Sequence, residues 1–310
     1  MPKYSIVIPV FNEEPIINET YKRLKEVIDK VKEDYELIFV NDGSTDSTHN
    51  LISSICKKDP RVKMLDFSRN FGHQIAISAG LDYAEGDAVV VIDADLQDPP
   101  EVILEMVKKW KEGFEVVHGK RIKREGEPIL RKIAIKIYYR LLKKMTNYDI
   151  PVDVGDFRLI DKKVCTIISN LPEKNRYLRG LVSWTGFKQT NVEYIRQGRA
   201  GGESKYPLTK LISLALSGIT SFTYKPLRFA SYIGFILSLF SFMYLAYAVY
   251  SKLVNNVPIV GWTSIIVTNA FFYGIVLIML GIIGEYIGKI YEETKGRPLY
   301  ILKEKIGFNS

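Results

Sequence analysis

The chain has 310 residues, 47% hydrophobic and 25% charged, which is long for one simple domain and enough to bury a sizeable core. Its formal charge of +8 leaves nucleic acid and an anionic membrane surface in view as partners. The two cysteines, Cys56 and Cys165, fit a reducing compartment and exclude a cysteine-based metal motif.

Met1-Pro-Lys-Tyr runs directly into a strand pattern, so no signal peptide is expected. Residues 4–11 (YSIVIPVF) read as a strand, and Asn12-Glu13-Glu14-Pro15 opens a helix reaching about Lys32. Residues 35–42 (YELIFVND) form a second strand, followed by Gly43-Ser44-Thr45-Asp46-Ser47 and a helix to about Lys58. VKMLDFS (62–68) is a third strand, with a helix over roughly 74–85 behind it. The β-branched run of 89–100 (VVVIDADLQDPP) is a buried strand that ends abruptly in Asp93-Ala-Asp95, and Pro99–Lys111 makes the next helix. Strands alternating with helices indicate βαβ units and a parallel sheet, with no internal repeat.

Ligands bind outside the carboxyl ends of strands in open α/β sheets. Three strand ends carry polar residues that would meet on one edge. The first strand ends in Pro9-Val10-Phe11-Asn12-Glu13-Glu14, the second in Asn41-Asp42-Gly43-Ser44, and the strand beginning at Val89 in Asp93 and Asp95. Asp42 and Glu14 can accept hydrogen bonds from a base or ribose, while Asn12 and Ser44 also suit helix N-caps. Two carboxylates at i, i+2 suit a divalent cation, Mg²⁺ or Mn²⁺, that bridges diphosphate oxygens. A solvated turn is the plainer reading of the same triplet.

Two later stretches are long and uncharged. Residues 229–251, and 262–284 within the longer uncharged run from Leu253 to Gly284, each suffice to cross a hydrocarbon layer, which takes about 20 apolar residues. Asn255-Asn256-Val257-Pro258 between them is a short loop, so the helices form a hairpin. Lys225, Arg228, Lys289, Lys295 and Arg297 flank its outer ends, which places the N-terminal domain and the C-terminus in the cytoplasm of a multi-pass plasma-membrane protein. The bilayer then accounts for the basic charge, and no nucleic-acid partner is expected. Residues 128–146 form a basic amphipathic helix suited to a membrane interface, and 207–224 form a second, juxtamembrane one.

SIVIPVFNEE, VNDGSTDST and VIDADLQDPP, in this order and spacing, resemble the inverting glycosyltransferases of family 2 with the GT-A fold. GDFRLID (155–161) and RAGGESKYPL (199–208), followed by two spans, narrow the likeness. They resemble polyisoprenyl-phosphate glycosyltransferases, relatives of dolichol-phosphate mannose synthase, of the bacterial undecaprenyl-phosphate glucosyltransferase type. The resemblance implies an α/β GT-A catalytic domain over 1–206 with a Rossmann-like, mostly parallel sheet. Amphipathic interface helices, the two-helix transmembrane hairpin and a cytoplasmic tail over 285–310 complete it.

It further implies a nucleotide-sugar site of Pro9, Val10, Asn12, Glu14, Asp42, Ser44, Asp93, Asp95 and Gln97. Asp95 is the direct metal ligand and Asp93 lies nearer the ribose and sugar. Arg199 and Lys205 would sit on a loop closing over the diphosphate, lipid headgroups being the other reading of that pair. Arg121, Arg131 and Arg158 would face the acceptor phosphate, although Ile135 stands where relatives often carry a serine. Asp156 would be the family's catalytic acidic residue near the acceptor, orienting it or a cation rather than removing a proton, with Arg158 as its partner; His73 reads as structural. A lipid phosphate monoester has a second pKa of about 6, so it is already a nucleophile at neutral pH.

The activity expected is transfer of one sugar from a nucleotide donor to polyprenyl phosphate with inversion. UDP-glucose is the first choice of donor; UDP-N-acetylglucosamine and GDP-mannose stay open. A homo-oligomer is expected, a tetramer among the candidates. A processive polysaccharide synthase is the rival within the fold, but no Q-x-x-R-W motif is present. A non-catalytic nucleotide-sugar or lipid binder is the rival outside it. The absence of a Gly-rich dinucleotide fingerprint after the first strand disfavours a nicotinamide enzyme.

Overall fold

A computed structural model describes residues 2–123, 154–196, 225–255 and 261–308. The chain divides into two compact units, one of residues 1–207 with 297–310 and one of 208–296. The expected amphipathic helices at 128–146 and 207–224, the loop at 256–258, and Arg131, Arg199 and Lys205 lie outside the described residues.

The first unit is built on one eight-stranded sheet. Its strands are β1 (Tyr4–Val10), β2 (Tyr35–Asn41), β3 (Val62–Phe67), β4 (Ala88–Val91), β5 (Val116–Lys123), β6 (Val154–Asp161), β7 (Gln189–Ile195) and β8 (Leu302–Ile306), in the order β7-β5-β6-β4-β1-β2-β3-β8. β1 pairs in parallel with β2 and β4, and β2 with β3, the parallel centre anticipated from the strand–helix alternation. Every residue of β1 and β2 is buried. Strands covered on both faces read as continuous apolar runs, which is why YSIVIPV and YELIFV lack alternation.

The covering helices are α1 (Ile17–Ile28), α2 (Thr48–Lys58), α3 (His73–Tyr83), α4 (Val102–Lys111), α5 (Lys162–Ser169) and α6 (Leu178–Trp184). α1 buries Ile17, Thr20, Leu24, Val27 and Ile28, a helical stripe facing the sheet. The centre of the core joins Ile6, Ile8, Phe39, Met64, Val90 and Leu159.

α1 starts at Ile17, five residues later than the sequence pattern suggested. Asn12 has φ +56°, a left-handed conformation in which no helix can begin. The edges of the sheet also depart from a parallel pattern. β6 runs antiparallel to β4 and β5, and β8 antiparallel to β3. β8 comes from the segment read in sequence as a tail. Its Ile306 packs on the core, Tyr300 stacks on Phe67 at 5.2 Å, and the Tyr300 hydroxyl donates to Asp82 at 3.0 Å.

The second unit contains α7 (Lys225–Asn255) and α8 (Trp262–Thr294). At 1.5 Å per residue both exceed the roughly 30 Å of a hydrocarbon core. They are long and apolar enough to cross a membrane, and Phe229, Phe235, Phe240, Leu277 and Ile278 on them are exposed.

Candidate active site

The loops after β1 and β2 are laced together by their own side chains. Asn12 Oδ1 accepts from the Thr45 amide at 2.8 Å, and the Asn12 amide donates to Ser44 Oγ at 3.0 Å. Glu14 Oε2 accepts from the Ser47 amide at 3.1 Å. Asn12, Ser44 and Glu14 therefore hold the rim of the strand ends, and Asn12 and Ser44 cap no helix. Gly43 is required here: it sits at φ +69°, and a Cβ on it would meet the Arg69 carbonyl carbon at 2.4 Å. Asp42 is buried and accepts from the Phe71 and Gly72 amides at 2.7 and 3.0 Å, which ties the β2 end to the β3–α3 loop. Burial raises its pKa, against those two amides.

A cavity of about 380 Å³ opens at this carboxyl edge. Of the residues named from sequence it gathers Pro9, Val10, Asp42, Asp93 and Asp95, together with Phe11, Glu13 and His73. Glu14, Asn12, Ser44 and Gln97 stand outside this lining. Asp95 Oδ1 accepts from the Gln97 amide at 3.1 Å across a turn in which Leu96 adopts φ +54°. Gln97 is buried, its Oε1 without a hydrogen-bond partner among the described residues. Asp93 Oδ1 is likewise buried without a hydrogen-bond partner among the described residues, and His73 Nε2 stands 3.5 Å from it. Burial pushes the Asp93 carboxyl up to about 6; His73 opposes that shift and Asp156 adds to it.

Asp156 lies across from Asp93 because of register. The antiparallel β4–β6 ladder pairs Val91 with Arg158, and carried two residues further it sets Asp93 opposite Asp156. Asp156 is saturated. Oδ1 accepts from Arg158 Nη2 at 3.0 Å and Arg179 Nε at 3.1 Å, and Oδ2 from Gln74 Nε2 and Arg179 Nη2, both at 3.1 Å. His73 Nε2 stands 3.6 Å from Oδ2. Burial alone would raise the Asp156 pKa, but Arg179, His73 and Arg158 outweigh it and hold the carboxyl well below its usual range. The same two carboxylates raise His73 against the effect of its own burial. Arg158 is 2% exposed, and its guanidinium also donates to the Gly155 and Asp156 carbonyls.

Sequence reasoning missed Arg179 and Gln74 and set His73 aside. RNFGHQ did carry His73 and Gln74; nothing in the sequence pointed to Arg179, on a short helix 23 residues after Asp156.

Arg121 occupies a second buried ion pair. Its Nη2 donates to Asp98 at 3.0 Å and its Nε to the Tyr194 hydroxyl at 3.1 Å, while that hydroxyl donates to Asp98 at 2.6 Å. Gly155 makes room for it, since a Cβ there would lie 2.7 Å from Arg121 Nη2. Of the three arginines read as acceptor contacts, Arg121 thus braces the segment just after Asp95 and Arg158 braces Asp156.

A further cavity of about 470 Å³ adjoins the first and shares Phe11 with it. Gly43, Ser44, Thr45, His49, Asp66, Arg69 and Lys303 contribute to its walls. Asp66 is committed to Asn41 Nδ2 at 2.7 Å and to His49 Nδ1 at 3.3 Å.

The family model described as glycosyl transferase family 2 matches residues 5–167. An uncharacterized glycosyltransferase, YkcC, of Bacillus subtilis (strain 168) is 58% identical over 99% of this chain and 95% of its own length. An SfII prophage-derived bactoprenol glucosyl transferase of Shigella flexneri is 44% identical over 97% of this chain and 98% of its own. Among solved structures, glucosyl-3-phosphoglycerate synthase from Mycobacterium tuberculosis, in complex with Mn²⁺, UDP-glucose and glycerol 3-phosphate, aligns with 71% of this chain and 78% of its own at 22% identity, with a TM-score of 0.47.

Proposed function

The chain belongs to glycosyl transferase family 2 and is a glycosyltransferase, and from that premise we propose that it moves one glucose from UDP-glucose to polyprenyl phosphate at the cytoplasmic face of a membrane, with inversion at the anomeric carbon. The observation that carries the donor half is the strand-edge cavity with Asp93 and Asp95 in its wall and Asp93 Oδ1 buried without a hydrogen-bond partner. The names of relatives more than 40% identical support the glucosyl and polyprenyl halves.

Asp93 and Asp95 fit a divalent cation, Mg²⁺ or Mn²⁺, because they offer hard carboxylate oxygens and one of them lacks a hydrogen-bond partner. Such a cation would neutralise charge that develops on the leaving diphosphate. The chain's own groups do the positioning. The laced loops of β1 and β2 shape the nucleoside end, and the Asp156 cluster fixes His73 at the cavity wall between the two carboxylates.

In the reaction an oxygen of the lipid phosphate bonds to the anomeric carbon as the bond from that carbon to the diphosphate oxygen breaks. UDP leaves with the electron pair, and no proton has to be removed from a dianionic phosphate. Asp156, already charged and engaged by Arg158 and Arg179, serves as the anchor of this cluster and has no need to act as a base. In this reading Arg131 serves the acceptor phosphate, and Arg199 and Lys205 serve the donor diphosphate.

Chain order is compatible with attachment through a two-helix membrane hairpin. α7 and α8 lie between 207 and 297, and the chain rejoins the first unit through β8. Two crossings with both ends on one side satisfy that connectivity, and the basic residues at those ends favour the cytoplasmic side.

The test is incubation of the purified full chain with labelled UDP-glucose, UDP-N-acetylglucosamine and GDP-mannose plus undecaprenyl phosphate, with Mn²⁺, with Mg²⁺ and with chelator. The proposal expects one lipid-linked glucose from UDP-glucose, of β configuration by NMR, and none with chelator. Product of retained configuration, or a lengthening polymer, overturns it.

A further inference from the structure

β8 is antiparallel to β3, with Leu302 beside Phe67, so its first residues arrive at the edge where the parallel strands present their carboxyl ends. Lys303 there forms part of the wall of the second cavity. The strand that carries it is well held. Tyr300 stacks on Phe67, Phe308 meets Tyr83 edge-on at 5.4 Å, and Glu304 faces His49 Nε2 at 3.8 Å. Among the described residues no ion pair or hydrogen bond occupies the Lys303 ammonium.

This inference rests on the nucleotide-sugar reading of the site. A diphosphate placed against Asp93 and Asp95 in the first cavity leaves its nucleoside to extend past Phe11, whose half-exposed ring is common to both cavities. The second cavity, about 470 Å³, has the size of a small-ligand pocket. Its carboxylate, Asp66, is already bound to Asn41 and His49, so it is not offered to a base. Arg69, also in the wall, is placed over the Phe71 ring and donates to the Asn70 carbonyl, whereas the Lys303 ammonium donates hydrogen bonds and accepts none. At pyrimidine C4 and purine C6, uracil and guanine present an oxygen, an acceptor, where cytosine and adenine present an amino group, a donor. We propose that Lys303, carried on the strand that follows the apolar helices, reads the nucleobase of the donor and selects for a base with an oxo group at pyrimidine C4 or purine C6. Donor choice is then made in part by a residue far outside the 5–167 family match.

The test is calorimetric titration of the full chain in detergent with UDP, GDP, CDP and ADP, each with Mn²⁺, for the unaltered protein, Lys303→Gln and Lys305→Gln. Lys305 shares the strand and lies over the Tyr83 ring, away from the cavity, so it controls for disturbance of β8. Lys303 is exposed, and equal thermal midpoints for the three proteins verify that folding is intact. The unaltered protein and Lys305→Gln should bind one oxo-base diphosphate at least tenfold more tightly than CDP or ADP. Lys303→Gln should lose about tenfold for that ligand and little for the other two, which shrinks the preference. An unchanged preference in Lys303→Gln overturns the inference. Equal weakening toward all four diphosphates overturns it as well, since the ammonium would then serve the phosphates. Failure of the unaltered protein to bind any of them overturns the nucleotide-sugar reading, and the inference with it.

Discussion

The end of β4 and the start of β6 place Asp93 and Asp156 on either side of His73, 3.5 and 3.6 Å from its Nε2. Both are aspartates near the base of the same sheet edge, yet their surroundings act in opposite directions. Asp156 is matched by Arg158, Arg179 and Gln74 and stays ionised far below neutral pH. Asp93 has His73 to oppose the effects of burial and of the neighbouring aspartates, and is pushed up to about 6. A carboxylate whose lone pairs are all taken is scaffold. One with a buried, unmatched oxygen and the rest of its side chain open to the cavity is poised for a cation the protein does not itself supply.

The largest effect that would sharpen this contrast is expected at the scaffold. Asp156→Asn removes the charge facing the buried Arg158, and breaking a buried pair costs about 3–5 kcal/mol. Denaturant unfolding of the full chain in detergent should show that loss together with loss of transfer. A variant as stable as the unaltered protein would mean that Asp156 is not holding the cluster.

Asp95→Asn should do the reverse. It should leave the thermal midpoint within a degree or two and lower kcat/KM a hundredfold to a thousandfold, about 3–4 kcal/mol. Among the described residues its side chain makes only a local turn bond to the Gln97 amide, which an amide oxygen can replace. Near-normal turnover across Mg²⁺ and Mn²⁺ titrations would remove it from the cation site.

pH separates the pair next. Mn²⁺ affinity in the presence of UDP should fall by about tenfold per unit as pH drops below about 6, because protons compete for Asp93. Asp93→Asn should flatten that profile. The sign for the metal-free fold is opposite. Since the folded pKa exceeds the ordinary 3.8, the folded protein binds more protons than the unfolded chain between about 4 and 6, so this group's contribution declines as pH rises through that window. Asp156, with its pKa depressed, contributes stability that persists above its ordinary value and disappears only in strong acid.

The smallest effect belongs to the residue they share. His73→Gln should cost about threefold to tenfold in kcat. Loss of the imidazolium, which lowers the Asp93 pKa, should also move the midpoint of the Mn²⁺ profile upward. A midpoint that stays put, or moves down, would show that His73 does not couple the two carboxylates.

Much of this site was legible as chain order. Pro9, Val10, Asp42, Asp93 and Asp95 were named from strand-end patterns, and the structure brings all five to one cavity. Asn12, Glu14 and Ser44 were legible as polar strand-end residues, but their hydrogen bonds run between loops. A pattern of residue types reports that a group is polar and where its strand ends; it does not report which neighbour claims its lone pairs. Arg121 and Arg158 illustrate the same limit. A cation in the right segment reads as free for a phosphate until a buried Asp98 or Asp156 is found beside it.

The sequence by itself determined the parallel centre of the sheet, the edge on which its polar ends gather and the two long apolar helices. Each follows from local periodicity and from the fixed direction of βαβ units. Only the tertiary structure decided that β6 runs antiparallel to β4, that Arg179 and His73 reach Asp156, and that β8 returns from beyond the apolar helices to close the sheet. Those contacts join residues from 23 to more than 200 positions apart, such as Arg179 with Asp156 and Tyr300 with Asp82. They are set by strand pairing and by the need to match buried charge, which no local window of sequence contains.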